Sequence, residues 1–163
     1  MAKRICTLGL LTALCMVLGY LERLVSLSFI APGIRLGLAN SAALLLICYN
    51  DKKGALAVNL CRIILSALLF GSLVSFAFSF VAGLGSSLAM ILLSRLKNTG
   101  VLGISIAGGF VHNLLQAVVA MVLIGNAVLY YLPLLLLCGA ISGGVIGAVC
   151  YLISKKIKTN IKI

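Results

Sequence analysis

NLCRIILSALLFG, residues 59–71, is apolar along most of its length yet carries Asn59, Arg62 and Ser66. Positions three and four apart lie on one face of a helix, so these three form a polar stripe on an otherwise greasy cylinder. A guanidinium in hydrocarbon costs several kcal/mol, and such residues face a bundle interior and carry a partner. Counted from residue 54, where the apolar run begins, Arg62 is about 12 Å deep at 1.5 Å per residue. That is too far to snorkel easily to the surface. The stretch therefore reads as the inward face of a membrane helix.

The rest of the chain agrees. Of 163 residues, 63% are hydrophobic and only 9% charged, with a mean hydropathy of +1.29; a soluble domain carries about 25% charged residues. A domain this small leaves much of its surface outside, so the solvent that covers it must be lipid. Lipid cannot satisfy an open sheet edge, which leaves an all-α integral membrane protein. A bilayer core of about 30 Å needs roughly 20 apolar residues per helix. Runs at 5–21, 36–49, 54–70, 75–93, 101–124 and 132–153 predict six transmembrane helices in a single domain, 1–163, with a basic tail at 154–163. Pro32 and Gly33 break the chain before the short second run, and YNDKKG and RLKNTG read as tight polar turns. The start, MAKRICTLGLLTALCMVLGYLERL, is basic then apolar like a signal peptide, but lacks a small-x-small cleavage site, so it is expected to stay as the first helix.

The formal net charge is +11, with 13 Lys and Arg against Glu22 and Asp51 alone. With the N-terminus inside, Lys3, Arg4, Lys52, Lys53, Arg95, Lys97, Lys155, Lys156, Lys158 and Lys162 all fall on the cytoplasmic side, ten of the thirteen. The positive-inside bias thus puts both termini in the cytoplasm. Charges at helix ends offer no platform for nucleic acid. Cysteines 6, 15, 48, 61, 138 and 150 form no C-x-x-C pair and sit in or beside apolar runs, so they are expected to act as small apolar residues, with no metal or disulfide role.

A second polar stripe lies in GGFVHNLLQAVVAM, residues 108–121, where His112, Asn113 and Gln116 share a face. At similar depth to the first stripe, it would complete a polar pocket. The same amides and hydroxyls also serve as interhelical glue, at about 1 kcal/mol per bond. For Arg62 three partners are open: Glu22, an anionic ligand, or another protein's carboxylate. Gly9 and Ala13, then Cys15 and Gly19, place small residues four apart in the first helix, and Gly139, Gly143 and Gly147 do so in the sixth. Such stripes serve close packing within the bundle or docking of another membrane protein. The tyrosines near helix ends suit interfacial anchoring, and Phe76, Phe78, Phe80 and Phe110 are candidates for an apolar wall.

The segments APGIRLGLANSAALLLICYNDKKGALAVNLCRIILSALLFGS, residues 31–72, and FSFVAGLGSSLAMILLSRL, residues 78–96, resemble the substrate-binding S components of energy-coupling-factor (ECF) importers. More narrowly, the chain is similar to the Gx transporter branch, also catalogued as heptaprenyl diphosphate synthase component I. The resemblance implies a six-helix S-component bundle in a bacterial cytoplasmic membrane that holds one small molecule near its outer side. The segment 22–35 would form part of a lid. Gly9 and Ala13 would dock a transmembrane coupling subunit, although this chain has Gly where an Ala-x-x-x-Ala pattern is expected. Two ATPase subunits would supply energy, since this chain has no Gly-x-x-x-x-Gly-Lys-Ser/Thr loop.

On this reading the protein captures a small, anionic micronutrient or cofactor precursor. Arg62 would neutralise its charge, Asn59, Ser66, His112, Asn113 and Gln116 would supply directional bonds, and Arg35 and Asn40 would contribute from the mouth; no cofactor is implied. Two alternatives stand beside it: a membrane accessory subunit in prenyl or quinone metabolism, and a subunit of a membrane redox complex. A self-sufficient prenyl transferase is excluded, because several carboxylates must hold Mg²⁺ on a diphosphate, and the whole chain has two acidic residues.

Overall fold

A computed structural model describes residues 2–24, 37–70, 72–96 and 99–160. It contains α1 (Ala2–Leu24), α2 (Ser41–Cys48), α3 (Lys52–Phe70), α4 (Leu73–Leu93), α5 (Val101–Ile124) and α6 (Leu132–Asn160). Single 3₁₀ segments, Leu38–Asn40 and Asn126–Tyr131, lead into α2 and α6. No strand occurs among the described residues. Pro32, Gly33 and Arg35 lie outside them.

Each predicted helix is present, but the second is shorter than its apolar run. Gly37 has φ +74°, a left-handed conformation no helix interior accepts, so a 3₁₀ turn intervenes and the α-helix proper has eight residues. At about 12 Å it does not cross a 30 Å hydrocarbon layer. Among the described residues, four stretches are long and apolar enough to do so: Ala2–Glu22, Leu73–Leu93, Val101–Ile124 and Asn126–Lys156. Instead of spanning, α2 plugs the bundle. Ala42, Ala43, Leu44, Leu46 and Ile47 are buried, packed with Cys15, Val58, Met90, Ile104 and Ile146 from the surrounding helices.

The turn YNDKKG is as tight as its composition predicts. Asn50 takes φ 60°, a position Asn tolerates better than most residues. Asp51 then caps α3: its Oδ1 accepts from the Gly54 N–H at 2.9 Å. Arg4 of α1 donates to both Asp51 oxygens, at 2.8 and 3.0 Å. The start of α1 and the start of α3 therefore share one end of the bundle.

Contacts between α3, α4, α5 and α6 fix their directions. Asn59 meets Ser87 and Ile63 meets Gly83; Ser86 meets His112 and Met90 meets Gly108; Asn113 meets Leu135 and Ser105 meets Gly143. As one number rises its partner falls, so successive helices are antiparallel. Arg4, Lys52, Lys53, Arg95, Lys155 and Lys156 accordingly gather at one end.

The stripe Gly139, Gly143 and Gly147 faces α5. A Cβ on Gly143 would stand 2.5 Å from the Ser105 carbonyl oxygen, and one on Gly139 2.6 Å from that of Gly109. This stripe serves packing within the bundle. By contrast, Gly9 and Ala13 are exposed on α1, and a Cβ on Gly9 meets nothing within 4 Å.

The outer surface is apolar: Leu73 is 88% exposed, Val122 82% and Leu68 77%. Water does not tolerate so continuous an apolar exterior around so polar a centre; this is a membrane protein.

Candidate functional site

The polar groups that the sequence places on α3 and α5 are buried together, but α4 stands between them. Asn59 and Arg62 come from α3, Ser86 and Ser87 from α4, and His112, Asn113 and Gln116 from α5; all are buried, Arg62 at 9% exposure. Arg62 donates from Nη2 and Nε to Asn59 Oδ1, at 2.7 and 3.2 Å. The same amide donates from Nδ2 to Ser87 Oγ at 2.6 Å and to the Gly83 carbonyl at 2.8 Å. Asn59 thus turns the arginine's positive charge onto a neutral oxygen and locks α3 to α4.

Ser86 continues the seam. Its hydroxyl donates to the Gly83 carbonyl at 3.1 Å and accepts from Asn40 Nδ2 at 3.1 Å. Asn40 arrives from the 3₁₀ turn before α2, and its Nδ2 also stands 3.3 Å from His112 Nδ1. On the other side of the ring, Gln116 Nε2 lies 3.2 Å from His112 Nε2. A neutral imidazole has one acceptor nitrogen and one N–H, so it accepts from only one of these two amides. Asn40 is oriented by its second bond, to Ser86. Nδ1 is therefore the acceptor, and Gln116 satisfies its otherwise unpartnered Oε1 by turning it to the ring Nε2–H.

Asn113 points the other way, toward α6. Its Nδ2 donates to the Leu135 carbonyl at 2.8 Å, while its Oδ1 has no hydrogen-bond partner. Between α2, α4, α5 and α6 lies a recess lined by Gly37, Asn40, Met90, Ser105, His112, Asn113 and Ser142 among others, with a cavity of about 20 Å³. That admits a water-sized group. At its rim, Glu22 Oε1 accepts from the Gly37 N–H at 2.7 Å, joining the far end of α1 to the start of the α2 segment.

Of the predicted ligand residues, Asn40, Asn59, Arg62, His112 and Gln116 are joined by these contacts, while Asn113 lies apart, beside the recess. Ser66 is half-buried on α3 and takes no part in the bonds above. Arg35 lies outside the described residues. The phenylalanine wall is not where it was expected. Phe76 and Phe80 stack on each other with centroids 5.4 Å apart, Phe80 and Phe110 are exposed on the outer face, and Phe78 packs by Ala117 and Ala120. Apolar aromatic faces lose nothing in lipid, so burial does not claim them. Sequence reasoning missed Ser86 and Ser87; GLGSSL, with small and hydroxyl residues at helical spacing, is the signal that would have found them.

The two carboxylates stand about 27 Å apart along α1, from Arg4, which holds Asp51, to Glu22. They do not come together as a diphosphate–Mg²⁺ site.

These features define a helical membrane protein with a polar seam through its centre and a small recess beside that seam. The chain belongs to the heptaprenyl diphosphate synthase component I family, whose model matches residues 11–153. No curated protein and no solved structure matches it.

Proposed function

We propose that this protein is a non-catalytic capture subunit that holds one small polar molecule within its membrane domain, 1–163. The observation behind it is the seam itself: a guanidinium, an imidazole, four amides and two hydroxyls gathered inside a lipid-facing bundle. Buried polar groups in a membrane are costly, and where they cluster they mark a binding path. Arg62 would attract an acidic group of the ligand. Asn59, His112, Asn113, Gln116 and Asn40 would orient it, with Arg35 and Ser66 as further contacts. The basic end of the bundle would lie in the cytoplasm of a bacterial cell, with both termini inside and six helices contributing to the embedded domain. Gly9 and Ala13, on the bare face of α1, would meet a transmembrane coupling subunit driven by ATPases.

A second reading follows from the family's description, which names a component of a synthase. On that reading the chain is a membrane accessory that pairs with a second, catalytic component and presents it with a lipid.

Native mass spectrometry of gently solubilised protein tests the proposal. A small molecule that leaves with the wild type, and is lost from Arg62→Ala, is the expected result. An empty protein that co-purifies with a soluble prenyl transferase would replace capture with the accessory role.

A further inference from the structure

The cations at the basic end of the bundle follow the register of the helices that carry them. α3 opens on two lysines. Lys52 is half-buried, and at helical spacing it stands over Ala55 and Asn59, both buried. Lys53 is exposed, and so are Ala57, Leu60 and Ile64, which follow it on one face. One lysine heads the inward stripe of α3, the other its lipid-facing stripe.

The outward register recurs on three more helices. On α1, exposed Lys3 heads the stripe that continues through exposed Leu10 and Leu14. Arg95 is exposed in the turn that ends α4, its N–H donating to the Leu92 carbonyl at 3.1 Å, and Leu88 and Leu92 on the same face are exposed. On α6, exposed Lys156 completes the stripe of Val145, Val149 and Leu152, all exposed.

Depth agrees with register. Tyr151 is exposed on α6, about 28 Å along the helix from Leu132, close to the thickness of a hydrocarbon core. Tyrosine favours the boundary of that core. Lys156 lies about 7 Å further along, at headgroup level. Nor can the charge be balanced from within. The chain has two carboxylates for thirteen Lys and Arg. Asp51, at this end, is held by Arg4, and Glu22 is bonded to Gly37 at the far end of α1.

We propose that Lys3, Lys53, Arg95 and Lys156 form a rim that binds the phosphate groups of anionic phospholipids. Each cation stands at the foot of a face that acyl chains cover, so its stem extends the apolar surface while its head meets the lipid phosphate. An acidic soluble partner would be met by cations at the tip of the bundle, with no need for them to continue lipid-facing stripes. The rim is separate from the polar seam, and its lipid preference does not depend on capture.

The test solubilises the full chain from vesicles of equimolar phosphatidylglycerol and phosphatidylcholine and identifies the retained lipid by native mass spectrometry. Phosphatidylglycerol should be retained in an excess of about fivefold or more, the factor expected of one basic side chain near an anionic surface. Lys53→Gln should lower that excess several-fold. Lys52→Gln removes the same charge one position away, on the inward stripe, and should leave it nearly unchanged. Combining Lys53→Gln with Arg95→Gln and Lys156→Gln should abolish it. Equal losses from Lys52→Gln and Lys53→Gln would make net charge alone the cause and overturn the proposal. So would a wild type that retains both lipids equally; salt-sensitive binding of polyglutamate by that protein would assign the rim to an acidic protein instead.

Discussion

Asn113 donates to the Leu135 carbonyl across the α5–α6 interface at 2.8 Å, beside glycines on both helices that allow the backbones to touch. The bond and the close approach are one device. Gly109 and Gly139 bring the helices near enough for a short amide to reach the next backbone.

This approach predicts a steep penalty for side chains on the glycine stripe. Gly143→Leu would drive carbon into the Ser105 carbonyl and cost about 1–3 kcal/mol or more. Gly9→Leu, in open space on α1, should leave unfolding unchanged. Thermal unfolding of the two variants in one detergent compares them directly; equal destabilisation would contradict the packing role.

Asn59 is predicted to matter more than its size suggests. Asn59→Leu removes the oxygen to which Arg62 donates, together with the amide's own bonds to Ser87 and Gly83, at a cost of about 1.5–3 kcal/mol. Adding Arg62→Met should recover much of the loss. A double-mutant cycle by chemical unfolding reads the coupling, and strict additivity would mean that the two side chains act independently.

Asp51 and Arg4 are ion-paired but should not be equivalent. Arg4 is 63% exposed, so Arg4→Ala should cost well under about 1 kcal/mol. Asp51→Ala also removes the cap on the first turn of α3, worth about 1 kcal/mol by itself. Amide exchange at 53–56 should quicken in the Asp51 variant and hardly change in the Arg4 variant.

Glu22 joins α1 to Gly37, and Glu22→Gln replaces a charge-assisted bond with a neutral one of roughly half the strength. Exchange at the Gly37 amide should rise several-fold while that in α5 stays fixed. An unchanged Gly37 amide would show that the link contributes nothing to holding the α2 segment.

Gly37 carries a separate expectation. At φ +74° an L-residue is strained by about 1–2 kcal/mol, so Gly37→Ala should destabilise although its Cβ has room.

Much of this protein could be read in one dimension. Hydropathy and length set the solvent as lipid and the elements as helices, because each apolar run must satisfy its own backbone. The spacing of Asn59 and Arg62 put them on one face, and the spacing of His112 and Gln116 did the same, because helical periodicity is local; Asn113, one position on from His112, turns toward α6. Basic residues at helix ends mapped onto one end of the bundle because alternating helices return there.

What joins those faces was not legible. Ser86 and Ser87 bridge them, Asn40 reaches His112 from 72 positions away, and Gly37 shortens α2 to a plug. Each depends on which helix lies beside which, and in lipid that choice rests on close steric fit and hydrogen bonding rather than on hydrophobicity, which lipid and protein share equally. Composition is blind to that fit. The recess exists only where four helices meet.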